Sequence, residues 1–168
     1  DIVLFGFRGS QLYNAEYNIL VYRRPRTKTL TADGTAAPNR QKGESEMAIK
    51  IERFQPDGMN VRMSGGQPSY SHVVTVSGTG KIVYTAGQLA RDIDGNCVGK
   101  GDMRAQMEQT FQNLDRCLKA AGATWADVVK TNTFVTDFDE FQKCGDVRMR
   151  YLGVASPTST TVGVTRLA

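Results

Sequence analysis

Few residues in this chain carry general-purpose chemistry. There is one histidine, His72, inside a β-branched stretch, and there are three cysteines, Cys97, Cys117 and Cys144, far apart and without a CxxC pair. One histidine cannot build a histidine metal cluster, and an odd, widely spaced set of thiols suits neither a disulfide framework nor a zinc site, so no metal is expected. A Ser/His/Asp triad would have to use His72, and no GxSxG elbow supports one. Ser77-Gly78-Thr79-Gly80-Lys81 has the look of a phosphate loop but lacks the GxxxxGK[ST] spacing, and Ile82 stands where a hydroxyl would meet magnesium. It reads instead as a tight hairpin turn. Asp92-x-Asp94-Gly95 is too short for a calcium loop and has no late glutamate, so it too reads as a turn. Cys117 borders an apolar helical stripe and Cys144 lies on another, which points to packing rather than nucleophilic catalysis. No residue is marked as catalytic by type and spacing alone.

Charge and composition narrow the classes. The 168 residues are 40% hydrophobic and 23% charged, as in an ordinary globular domain. The net charge of +4 is dispersed: residues 47–168 carry fourteen Lys/Arg against twelve Asp/Glu. Only Arg23-Arg24-Pro25-Arg26-Thr27-Lys28 concentrates basic charge, so nucleic-acid binding is not expected. No run of about 18 apolar residues exists, so no membrane partner is expected. The thiols suit a reducing compartment, and a cytoplasmic location is expected. Organellar targeting by residues 1–46 is a minor alternative, opposed by Asp1, Glu16, Asp33, Glu44 and Glu46.

Any site must be positioned by the elements that follow Met47. Residues 1–46 sustain neither a 3.6 nor a 2 period, and are expected to be an extension, disordered or absent from the mature protein. The domain is expected over 47–168. Residues 48–54 suggest an edge strand, and 71–77 and 81–86 two strands of a hairpin closed by Gly78-Thr79-Gly80. Met103, Met107, Phe111, Leu114, Leu118 and Ala121 recur at spacings of 4, 4, 3, 4 and 3, the apolar stripe of a helix that Asp102 can cap and Gly122 can end. A short helical turn is expected at 124–128, a strand at 129–136 and a second helix from Asp137 to Gly153. Gly145 inside that helix suggests close packing there. A last strand is expected at 159–166, with Val162 and Val164 facing the core. Strands interspersed with two helices make an α+β domain, helices on one face of a sheet. An apolar second face would favour oligomerisation.

The order and wording of this region resemble the Rid (YjgF-like, RidA-type) family. The matching stretches are Pro68-Ser69-Tyr70-Ser71-His72, Lys81-Ile82-Val83-Tyr84-Thr85-Ala86-Gly87-Gln88, Ala105-Gln106 through Asn113-Leu114, Ala120-Ala121-Gly122-Ala123, Asp127-Val128-Val129-Lys130-Thr131, Phe134-Val135-Thr136-Asp137, and 157–167. The resemblance implies a chorismate-mutase-like sheet and a homotrimer with clefts between subunits. It also implies hydrolysis of small enamine or imine metabolites to a carbonyl compound and ammonia, with no cofactor. It places Tyr70, Ala86 and Gly87 in the cleft, a carboxylate-gripping arginine at position 159, and a water-holding glutamate on a terminal strand.

Position 159 is serine, which is short and neutral and cannot make an arginine's bidentate contact. Arg166 has the opposite strand parity and does not replace it. The sequence stops before the family's last strand, so the domain is expected to lack that strand and its glutamate. Ser159 and Thr161 share a strand face, and their hydroxyls are candidates for binding a neutral polar group. Three functions stand open. One is a Rid-type hydrolase or deaminase whose substrate preference is altered by Ser159. Another is a non-catalytic trimer that binds small metabolites. The last is the RNA-acting, translation-inhibitor role whose label the family has carried.

Overall fold

The computed structural model describes residues 15–23 and 49–167. Its main sheet has four strands, β6 (Lys81–Tyr84), β1 (Ala15–Arg23), β7 (Val128–Val135) and β8 (Thr158–Gly163), in that spatial order. β1 runs antiparallel to both of its neighbours, and β7 and β8 are parallel. A second, two-stranded sheet pairs β2 (Lys50–Phe54) with β5 (Val73–Ser77), and β3 (Met63–Ser64) with β4 (Gln67–Pro68) makes a small hairpin. Helices α1 (Met103–Ala121), α2 (Phe138–Lys143) and α3 (Gly145–Leu152) cover one face of the main sheet. This is the α+β architecture expected. No helix among the described residues is long and apolar enough to cross a membrane.

The largest departure from expectation is β1. Residues 15–23, read as part of an extension, occupy the centre of the sheet. Ala15, Tyr17, Ile19 and Val21 alternate into the core at 0–3% exposure, while Glu16, Asn18, Leu20 and Tyr22 face the other way. The Tyr17 ring lies 4.7 Å from Phe111 and 6.4 Å from Phe141. A strand buried between two neighbours is satisfied in every backbone group, and its apolar residues appear on both faces, which blurs the period of 2. β6 and β7 are thus joined through β1, and no gap lies between them. The expectation of disorder or targeting for 1–14 and 24–46 falls outside the described residues.

α1 forms as its sequence dictates. Asp102 accepts a hydrogen bond from the Ala105 N–H, and Gly122 at φ 68° closes the helix by donating to the Leu118 and Lys119 carbonyls. Met103, Met107, Phe111, Leu114 and Leu118 are buried along one stripe, with Gln106 and Thr110 beside them. Replacing Asp102 with alanine should lower stability by about 1 kcal/mol, read as a shift in the urea midpoint at constant slope.

Other elements differ in detail. The strands at 73–77 and 81–84 form, but they join different sheets, β5 to β2 and β6 to β1, instead of closing a hairpin. The segment expected as one helix breaks at Cys144 (φ −99°, ψ 21°) into α2 and α3. Gly145 is not closely packed: a Cβ there would have Ser64 Oγ as its neighbour at 4.0 Å. β8 ends at Gly163, three residues short of the expected end, and Val162 is 42% exposed on the open sheet face, not in the core. Val164 lies past the strand, half-buried, its N–H donating to the Val135 carbonyl at 2.8 Å. The open face carries Tyr84 (77% exposed), Ile82 (51%) and Val162, beside Leu20, Tyr22 and Phe134. This second face is apolar, the condition that favours oligomerisation.

Candidate functional site

A cavity of about 330 Å³ opens between the helices, β8 and the β3–β4 hairpin. Its lining includes Tyr70, Ser159 and Thr161 together with Ser69, Arg62 and Arg148. The parallel register of β8 with β7 sets Ser159 opposite Thr131 and Thr161 opposite Thr133, on the helix-covered side of the sheet. Thr131 Oγ1 donates to Ser159 Oγ at 3.0 Å, which leaves the Ser159 hydroxyl hydrogen free to donate into the cavity. Tyr70 is positioned by its segment. The Gln55 side chain donates to the Tyr70 carbonyl at 2.7 Å and accepts from the His72 N–H at 3.1 Å. The Ser71 N–H and hydroxyl reach the carbonyls of Pro157 and Ser156 at 3.2 and 2.5 Å, tying the segment to the entry of β8. The Tyr70 ring stacks on His72 at 5.3 Å. His72 precedes β5, and its Nδ1 is buried with no partner among the described residues.

Ala86 and Gly87 do not line this cavity. They are exposed, on the segment that leaves β6, and there Gly87 meets Glu16. The Tyr17 and Gln88 backbones exchange hydrogen bonds of 3.1 and 2.7 Å, which clamps β1 against this segment. Glu16 Oε1 then rests so close over Gly87 that a Cβ there would collide with it. Gly87 therefore admits the carboxylate by lacking a side chain. Among the described residues nothing bonds to the Glu16 carboxyl. The described chain thus carries, apart from each other, a hydroxyl-lined cavity with Tyr70, Ser159 and Thr161, and a half-buried carboxyl over Gly87.

Two residues here carry no mark in the sequence. Glu16 lies in the stretch expected to be an extension, although β1 alternates apolar and polar side chains over its first half. Arg148 stands in Arg148-Met149-Arg150, which reads as a charged helix surface, yet it turns inward. The thiols give no sign of activation: burial pushes Cys97 and Cys144 up from their ordinary values. Arg166 is exposed beyond the end of β8 and takes no part in the cavity.

Residues 65–168 match the family model described as Endoribonuclease L-PSP. A 2-iminobutanoate/2-iminopropanoate deaminase of Dermatophagoides farinae is 35% identical over 58% of this chain and 74% of its own length. A RutC family protein of Pyrococcus abyssi is 33% identical over 58% and 75%. The mitochondrial protein mmf2 of Schizosaccharomyces pombe is 33% identical over 63% and 79%. Among solved structures, the Rid-family protein YyfB of Yersinia pestis is similar at a TM-score of 0.59 and 31% identity, over 70% of this chain and 88% of that one. The sheet with helices on one face, the matched stretch from residue 65 onward and these relatives agree: the chain belongs to the Rid (YjgF-like) family, the Endoribonuclease L-PSP family of the matching model.

Proposed function

We propose that this chain is an imine or enamine hydrolase, a deaminase that releases ammonia and a carbonyl compound from a small reactive metabolite. The observation that carries this is the Glu16 carboxyl over Gly87, without a partner among the described residues, in a chain whose family includes a named iminobutanoate deaminase. Water adds to the carbon of a protonated C=N bond, and Glu16 takes the proton that the water gives up. Glu16 returns that proton to the carbinolamine nitrogen, which leaves as ammonia while the hydroxyl gives its own proton to the Glu16 carboxylate and the carbon–oxygen double bond forms. Positioning and one base suffice for this chemistry, so neither a metal nor a cofactor enters it. The hydroxyls of Tyr70, Ser159 and Thr161 hold the rest of the substrate, and Ser159 in place of an arginine alters which substrates fit.

The cavity and the carboxyl come together between copies of the chain. A homotrimer formed through the open sheet face would bury Tyr84, Ile82 and Val162 and bring the carboxyl of one copy to the cavity of the next. The competing reading, a trimer that binds a metabolite without turnover, is favoured by the serine at position 159. For an RNA-cleaving role the body offers one histidine, half of an acid–base pair. Cytoplasmic and mitochondrial addresses both suit the chemistry, and cell fractionation decides between them.

The test is release of keto acid and ammonia from 2-iminopropanoate generated in situ, with the assembly mass measured by light scattering. Catalysed release from a trimer supports the reading, and an intact trimer that leaves the spontaneous rate unchanged favours the binding module. Gly87→Ala should lower the catalysed rate by about tenfold or more with an unchanged melting curve, because the new methyl displaces the carboxyl while the exposed backbone tolerates it.

A further inference from the structure

The cavity contains a charge that no side chain among the described residues balances. Arg148 extends from α3 into a lining that includes Arg62 and no acidic residue. Its Nη1 donates to the Ser69 carbonyl at 2.6 Å, and its Nη2 is shielded from solvent with no acceptor among the described residues. Each of the ion pairs found among the described residues, such as Arg104 with Asp146 and Arg150 with Glu108, involves other side chains. Burial pushes the Arg148 guanidinium down from its ordinary value, with Tyr17 pulling the other way and the nearby Arg62 adding a smaller push down. A mostly buried cation without a counter-ion is costly, and an entering anion that pairs with it recovers that cost. The Ser159, Thr161 and Tyr70 hydroxyls in the same lining can donate to the anion's remaining lone pairs.

We propose that Arg148 binds the carboxylate of the substrate, supplying from helix α3 the planar charged fork that β8 lacks at Ser159. The ligand class is a small 2-oxo or 2-imino carboxylate. The assignment rests on reading this cavity as the substrate pocket, and it specifies that site further. The test is equilibrium binding of 2-oxobutanoate and of its uncharged amide to the full chain, followed by calorimetry and by the guanidinium NMR signal of Arg148. The carboxylate should bind about tenfold or more tightly than the amide and shift the Arg148 signal. Arg148→Gln should abolish that preference, Arg148→Lys should keep part of it, and Ser159→Arg placed in the Arg148→Gln chain should restore it. Equal binding of acid and amide by the parent overturns the assignment, as does a preference that survives Arg148→Gln. If Arg148→Gln does not fold, an unmoved Arg148 signal in the ligand-saturated parent overturns it equally. Arg148-dependent binding without imine turnover would leave this assignment standing and remove the hydrolase reading. Turnover with Arg148-independent binding would do the reverse.

Discussion

Replacing Tyr17 with alanine should destabilise the domain by about 3–5 kcal/mol, a large part of the margin of a small protein. Tyr17 is fully buried at the middle of the central strand, 4.7 Å from the Phe111 ring, which itself stacks on Tyr151 at 4.7 Å. Its removal empties the place where β1, α1 and α2 meet. Tyr17→Phe separates shape from polarity. Burial pushes the phenol well up from its ordinary value, and its hydroxyl, beside Thr133, makes no well-formed hydrogen bond among the described residues. Losing that hydroxyl should change stability by less than about 1 kcal/mol in either direction. Urea unfolding of the two variants checks both numbers. Equal, small losses would show that residues 15–23 do not belong to the folded core.

Glu16→Gln should reduce imine hydrolysis by about a hundredfold or more, the range for loss of a positioned general base. The fall should appear in kcat with little change in KM, because Glu16 meets the attacking water and the cavity holds the substrate. Stability should hardly move, since Glu16 lies on the open face and bonds to nothing among the described residues. A comparable loss of binding in this variant would mean that Glu16 holds substrate and does not activate water.

How much was legible in advance follows from which interactions are local. α1 was legible because its stripe, its Asp102 cap and its Gly122 stop all lie within twenty-one residues and agree with one another. The strands of 73–77 and 81–84 were legible as strands but not in their pairing. β5 finds β2 and β6 finds β1, and strand partners are chosen by tertiary contacts that no short window contains. The break at Cys144 was hidden because Phe141, Cys144 and Val147 keep a helical spacing across it.

The site shows the same division. The hydroxyls Ser159 and Thr161 were placed on one strand face by the period of 2, and they do share one. That face turned out to be the helix-covered one, which the sequence assigned to Val162 and Val164. Glu16 was missed because β1 is apolar on both faces from Ile19 onward and is followed at once by Arg23-Arg24-Pro25, so it did not read as a strand of this domain. Arg148 was missed because an arginine on a short helix ordinarily faces water. Its inward course is set by the Ser69 carbonyl, seventy-nine residues away in sequence.

The central claim is that carboxyl and cavity belong to one site shared by two copies of the chain, and mixed assembly tests it most directly. Glu16→Gln chains and Tyr70→Ala chains, each inactive alone, would be refolded together in equal amounts and assayed for ammonia release. A mixed cyclic trimer contains one interface at which an intact carboxyl meets an intact cavity, so random mixing should return about a quarter of the parent activity. No recovery, with mixed trimers verified by mass, would contradict the shared site and return the carboxyl and the cavity to separate roles.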